Sequence, residues 1–146
     1  MFQVTTALKK INLSKKRITV CKAGTSVGKT YCIMALLINY AATYKRQTIL
    51  CIAETIPSIK MGSLQIFKDI MMDTNRWIEE HFNATELTYT LSNGSKIMFK
   101  SFDSVGKAKA AGKRNVLFIN EGNHINWPIV NELIRTTEKS YIDYNP

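Results

Sequence analysis

Apolar residues in this chain gather into short runs and long ones, and the two kinds alternate. The short runs are Ile18-Thr19-Val20-Cys21, Thr48-Ile49-Leu50-Cys51-Ile52-Ala53 and Asn115-Val116-Leu117-Phe118-Ile119-Asn120. The second and third are apolar at consecutive positions, which predicts parallel strands covered on both faces. Between the first two lies the segment from Tyr31 to Tyr44, where Ile33, Met34, Leu36, Leu37, Ile38 and Tyr40 leave almost no polar face. It predicts a helix buried against a sheet and ended by Tyr44-Lys45-Arg46-Gln47. Strand, helix and strand complete a βαβ unit, so the fold class is α/β.

Further along, Thr55-Ile56-Pro57 stops the second strand. Ser63 can cap a helix in which Leu64, Phe67, Met71, Ile78 and Phe82 recur at helical spacing, with Met71, Met72 and Trp77 as core residues. Leu87 to Leu91 and Lys96 to Phe102 flank Ser92-Asn93-Gly94-Ser95, and an Asn-Gly pair between alternating runs predicts a hairpin, here an antiparallel flap. Trp127-Pro128 starts a helix through Ile129, Val130, Leu133 and Ile134, and Tyr141-Ile142-Asp143-Tyr144 reads as a last strand. Met1 to Lys16 holds an amphipathic piece (Val4, Ala7, Leu8, Ile11) before the basic group Lys15, Lys16 and Arg17.

Composition adds a size and a charge to this pattern. At 146 residues and 45% hydrophobic content the chain is one domain's worth and can bury a core. Lys and Arg number 20 against 11 Asp and Glu, and the resulting +9 favours polyanions such as nucleic acid, nucleotide or an acidic membrane surface. Much of that charge falls in Asp103 to Arg114, where Lys107, Lys109, Lys113 and Arg114 stand among Gly and Ala. The segment predicts a mobile basic loop, either a solvated linker or a contact for phosphate or DNA. No apolar run reaches the ~18 residues of a membrane span, and no secretory leader is visible, so an intracellular address is expected. Cys21, Cys32 and Cys51 have no C-x-x-C spacing, and His81 and His124 have no cysteines placed to complete a zinc site.

Candidate chemistry lies between the first strand and the first helix, in Ala23-Gly24-Thr25-Ser26-Val27-Gly28-Lys29-Thr30. This is a phosphate-binding loop in the strand, loop, helix order that such a loop requires, with Ala23 where the usual pattern has glycine. Gly24 and Gly28 let the backbone N–H groups of 24–28 converge on a polyphosphate, and the helix adds its positive N-terminal end. Lys29 would reach the β- and γ-phosphates of ATP, and the Thr30 hydroxyl would hold Mg²⁺. No other metal is expected. The strand ending in Asn120 is followed at once by Glu121, the geometry of a second nucleotide-site motif. There a strand-end residue supports Mg²⁺ and the next carboxylate polarises the attacking water. Glu121 fits the catalytic role, with Glu54 as the alternative base, while Asn120 offers a carbonyl oxygen without the charge. A polar turn after an apolar strand is the plain alternative.

With Asn120-Glu121 and the closing Asp143-Tyr144-Asn145-Pro146 added to the loop, the chain resembles the large terminase subunit of tailed bacteriophages, in its N-terminal packaging ATPase. The resemblance implies a P-loop NTPase of the additional-strand, catalytic-glutamate type, with Ile142 between Val20 and Phe118. It implies that Asn145 ends a coupling strand near the γ-phosphate. It also offers Arg114 as an arginine finger toward a neighbouring subunit. The implied function is an ATPase motor moving double-stranded DNA into a capsid in the host bacterial cytoplasm. Its partners would be the portal and the small terminase subunit, and its assembly a homo-oligomeric ring. Residues 1–146 would form an incomplete ATPase domain, with its C-terminal part and the nuclease domain absent. A helicase, or a nucleotide-binding assembly module that does not hydrolyse, are the competing readings.

Overall fold

The computed structural model describes residues 16–22 and 26–144. The amphipathic piece expected near the N-terminus lies outside them. Seven strands form one sheet: β1 (Ile18–Lys22), β2 (Thr48–Ile52), β3 (Phe82–Asn83), β4 (Thr88–Thr90), β5 (Lys96–Lys100), β6 (Arg114–Ile119) and β7 (Thr137–Tyr144). Their spatial order is β1-β7-β6-β2-β5-β4-β3. β1, β7, β6, β2 and β5 run parallel, and β4 and β3 add an antiparallel edge. The mixed α/β class holds.

Helices cover both faces of the parallel part, which explains the unbroken apolar runs Ile49 to Ile52 in β2 and Val116 to Ile119 in β6. On one face, α1 (Ser26–Thr43) and α3 (Ser63–Asp73) pack Ile33, Leu37, Phe67 and Met71 onto Ile49, Cys51, Phe99 and Phe118. On the other, α4 (Val105–Ala110) and α5 (Trp127–Arg135) pack Ala108, Ile129, Val130 and Leu133 onto Leu50, Ile52, Leu117 and Ile119. Successive side chains of a strand point to opposite faces, so each continuous run feeds two cores. Pro128 near the start of α5 costs no internal hydrogen bond there.

Three expectations change. The helix from Ser63 stops at Asp73 instead of running to Phe82. The chain turns at Asn75, whose φ is 56°, and Ile78 and Phe82 reach the sheet edge by a separate route. Tyr89 organises this turn. Its buried hydroxyl accepts from the Ile78 N–H at 3.1 Å and lies 3.3 Å from the Arg76 carbonyl. Trp77 packs beside Tyr89 and Phe67, but Met72 is 50% exposed and is not a core residue. Before Ser63 stands a short helix, α2 (Ile56–Met61), capped by the Thr55 hydroxyl and admitting Pro57 in its first turn.

The second change concerns the hairpin. It forms as expected, with Gly94 at φ 87° in its turn, yet it is no detached flap, because β5 also pairs in parallel with β2. Its turn docks on the end of α1, where Asn93 Nδ2 donates to the Ala41 carbonyl at 2.8 Å and Ser95 Oγ to the Tyr44 carbonyl at 2.6 Å. These contacts satisfy carbonyls that a helix end leaves open. The third is Asp103 to Arg114, whose middle forms the capped helix α4 where a loop was expected, with Arg114 already in β6. Ser104 Oγ accepts the Lys107 N–H at 3.2 Å, and Ala108 is buried against α5.

Candidate functional site

Parallel strands end on the same side of a sheet, so the C-terminal ends of β1, β7 and β6 lie together with the start of α1. Val20 pairs with Ile142, as expected; Ile142 in turn is level with Ile119, one residue beyond the expected Phe118. This register sets Asp143 beside the residue that follows Ile119, which is Asn120.

Lys29 and Thr30 stand in the first turns of α1, and both are buried. Lys29 Nζ donates to the Tyr144 carbonyl at 2.6 Å, across the end of β7. Thr30 Oγ1 lies 3.0 Å from Asp143 Oδ2 and 3.3 Å from Asn120 Oδ1, so one hydroxyl joins α1 to two neighbouring strand ends. Asp143 is 1% exposed. Burial pushes its carboxyl above the usual range, opposed by the Glu121 N–H, the Thr30 hydroxyl and nearby Lys29.

Immediately after β6 the backbone takes a left-handed turn at Glu121, with φ 53° and ψ 56°. Such a conformation is strained for a residue with a Cβ and persists where surroundings impose it. The imposing contact is Asp143 Oδ1, which accepts the Glu121 N–H at 2.6 Å. The turn leads into a short 3-10 helix, Gly122–His124, that presses on β7. A Cβ on Gly122 would stand 2.9 Å from Ile142 Cγ2 and 3.6 Å from the Asp143 carbonyl oxygen, so glycine permits this approach.

The structure thus brings Lys29, Thr30, Asn120 and the Glu121 backbone together. Gly24, Thr25 and Asn145 lie outside the described residues, and Ser26 and Val27 enter only as helical backbone. Gly28 falls in the first turn of α1, and among the described residues no atom lies within 4 Å of where its Cβ would be. The role expected for Arg114 does not fit its place. As the first residue of β6, it lies at the opposite end of the strand from Asn120, about 20 Å along it. Its buried guanidinium is used inside the fold, donating to the carbonyls of Leu133 and Gly112 at 2.8 and 2.7 Å and to the hydroxyls of Thr136 and Thr137 at 3.0 and 2.9 Å. A side chain so held cannot reach into a neighbouring subunit.

Lys107, Lys109 and Lys113 are exposed, and Lys107 pairs with Asp103 at 3.0 Å. Glu54, the alternative base, is exposed beyond the end of β2. The residue that sequence reasoning passed over is Asp143. It was visible only as part of the closing Asp143-Tyr144-Asn145-Pro146, and strand register is what carries it to Thr30.

No curated protein sequence matches the chain. Among solved structures, the large terminase of a thermophilic bacteriophage superposes with a TM-score of 0.80 at 14% identity, over 99% of this chain and 40% of that one. The same thermophilic-phage protein in complex with ADP gives 0.74 at 15% identity, over 96% and 38%. The large terminase of bacteriophage HK97 gives 0.72 at 12% identity, over 99% and 33%. The chain therefore shares their fold and spans two fifths or less of their length. The family model of the phage terminase large subunit matches residues 15–143, nearly the whole chain, and the chain belongs to that family.

Proposed function

We propose that this chain binds and hydrolyses ATP as the N-terminal ATPase domain, residues 1–146, of a terminase large subunit that drives double-stranded DNA into a capsid. The observation that carries this reading is the convergence of Lys29 and Thr30 on α1 with Asn120 and Glu121 at the end of β6. The first turn of α1 and the Lys29 ammonium give the site positive charge for a polyphosphate. A relative of the same fold, the thermophilic-phage terminase, holds ADP.

In this reading the backbone of Gly24, Thr25, Ser26, Val27 and Gly28 surrounds the phosphates. Lys29 exchanges the Tyr144 carbonyl for β- and γ-phosphate oxygens, and Asn145 lies near the γ-phosphate. Thr30 Oγ1 and Asn120 Oδ1 lie 3.3 Å apart, oxygen donors of the class that Mg²⁺ takes. When bound with the triphosphate, Mg²⁺ supplies neutralisation of charge on the phosphate oxygens. Glu121 accepts the proton of the attacking water, from a backbone position fixed by Asp143. Lys107, Lys109 and Lys113 face solvent and offer cations to DNA phosphates. The portal, the small terminase subunit and further copies of the chain in a ring complete the machine, in the host cytoplasm.

The direct test is Lys29→Ala. Losing a charge-assisted contact of about 1.5–3 kcal/mol weakens ATP binding roughly ten- to a hundredfold, read by calorimetry, while the thermal midpoint stays near that of the parent. Equal affinity in both proteins would remove the nucleotide site.

A further inference from the structure

β6 is followed at once by a neutral side chain, Asn120, at the position where support of a phosphate-bound cation calls for a carboxylate. The missing charge stands one strand away. Resting on the nucleotide reading above, we propose that Asp143 supplies the negative charge that holds Mg²⁺ with the triphosphate, and that Asn120 is its neutral neighbour.

Strand order makes this exchange of position possible. β7 lies between β1 and β6, with Cys21 level with Asp143 on one side and Ile119 level with Ile142 on the other. Asp143 therefore sits between the loop strand and the strand of Asn120. Thr30 Oγ1 is nearer to Asp143 Oδ2, at 3.0 Å, than to Asn120 Oδ1, at 3.3 Å.

The hydrogen bonds that Asp143 makes do not require its charge, although the nearby Lys29 ammonium favours the charged form. Oδ1 accepts a backbone N–H from Glu121 and Oδ2 faces the Thr30 hydroxyl, and an asparagine oxygen would accept either. Among the described residues no Lys or Arg forms an ion pair with it. A carboxylate that is 1% exposed and has only neutral hydrogen-bond partners bears a desolvation cost that a bound cation offsets. Because Oδ1 is engaged with Glu121, the carboxylate's orientation is set, and Oδ2 is directed at Thr30. One side chain would then both support Mg²⁺ and fix the backbone of the water-activating glutamate.

The test compares ATP affinity in Mg²⁺ with ATP affinity in EDTA, by calorimetry on the 146-residue chain. The parent should bind more tightly with Mg²⁺, by about ten- to a hundredfold. Asp143→Asn should lose that increment while its affinity in EDTA stays within about twofold of the parent. Moving the charge back, in Asn120→Asp/Asp143→Asn, should restore the increment, which a purely structural role for Asp143 would not produce. If Asp143→Asn does not fold, Asn120→Asp alone serves: a second carboxylate at the same spot should lower the thermal midpoint in EDTA, and Mg²⁺–ATP should reverse the loss. An unchanged Mg²⁺ increment in Asp143→Asn, or an Asn120→Asp protein indifferent to Mg²⁺, overturns the proposal and leaves the nucleotide site standing. Absence of ATP binding by the parent in both buffers overturns the two together.

Discussion

Glu121 shows how a single residue is prepared by its neighbours. Its left-handed backbone costs about 1–2 kcal/mol relative to ordinary conformations, and the Asp143 carboxylate compensates by accepting its N–H. The Glu121 backbone follows the end of β6, where Thr30 approaches from α1. Glu121→Gln keeps the shape and removes the carboxylate proposed as base, so in the complete-length protein ATP affinity should hold while turnover falls about 10²–10⁴-fold in a phosphate-release assay. Normal turnover would transfer the role to another carboxylate. Arg114 is the contrasting case, a cation spent on the fold. Arg114→Ala removes the guanidinium donor from the Leu133 and Gly112 carbonyls and from two threonine hydroxyls, while Thr137 Oγ1 still donates to the Leu133 carbonyl at 2.6 Å. It should lower stability by about 2–3 kcal/mol in the isolated chain, measured by urea denaturation. A variant of parent stability that failed only when mixed with a neighbouring subunit would restore the finger.

Among the elements, the short Gly122–His124 helix links the site to the core. It is pressed so closely to β7 that Ile142 Cγ2 occupies the space of a Gly122 side chain. Ile142 is β-branched and held between β1 and β6, so it yields little. Gly122→Ala should therefore cost about 1–3 kcal/mol and move Glu121, lowering the urea midpoint together with turnover. Full stability with normal turnover would show that this contact relaxes freely. Elsewhere the elements lock by their ends: the hairpin turn caps α1 through Asn93 and Ser95, and Arg17 donates to the Ile134 carbonyl at 2.6 Å where α5 meets β7.

Over the whole molecule the +9 charge becomes a question of placement. Lys107, Lys109 and Lys113 are exposed on and beside α4, a helix anchored to α5 by Ala108, so they move with the folded core instead of trailing from it. The ion pair of Lys107 with Asp103 is exposed on both sides and worth little, so it yields readily to a phosphate. Duplex DNA should bind with log K falling linearly in log salt. Reversing the three lysines to glutamate should make the slope shallower by about 2–3, read by titration at several salt concentrations. An unchanged slope would place the DNA surface elsewhere on the chain. Among the described residues no helix is long and apolar enough to cross a membrane.

Local chemistry was enough to reveal the parts. Continuous apolar runs require two covering layers, so β2, β6 and the buried α1 could be read as a parallel α/β sheet without coordinates. Gly28-Lys29-Thr30 and Asn120-Glu121 could be proposed as a site because their neighbours in sequence form the strand and helix that such a site needs. What the sequence could not resolve depended on contacts between segments far apart in it. Helical spacing from Leu64 to Phe82 looked continuous, but packing of Tyr89 and Trp77 broke it, because an aromatic cluster satisfies those apolar residues without helical geometry. Arg114 resembled a finger by position and became an internal brace, since its distance from α5 is set by strand pairing. Asp143 is 113 residues from Thr30 and 22 from Glu121, and only the insertion of β7 between β1 and β6 makes the three neighbours.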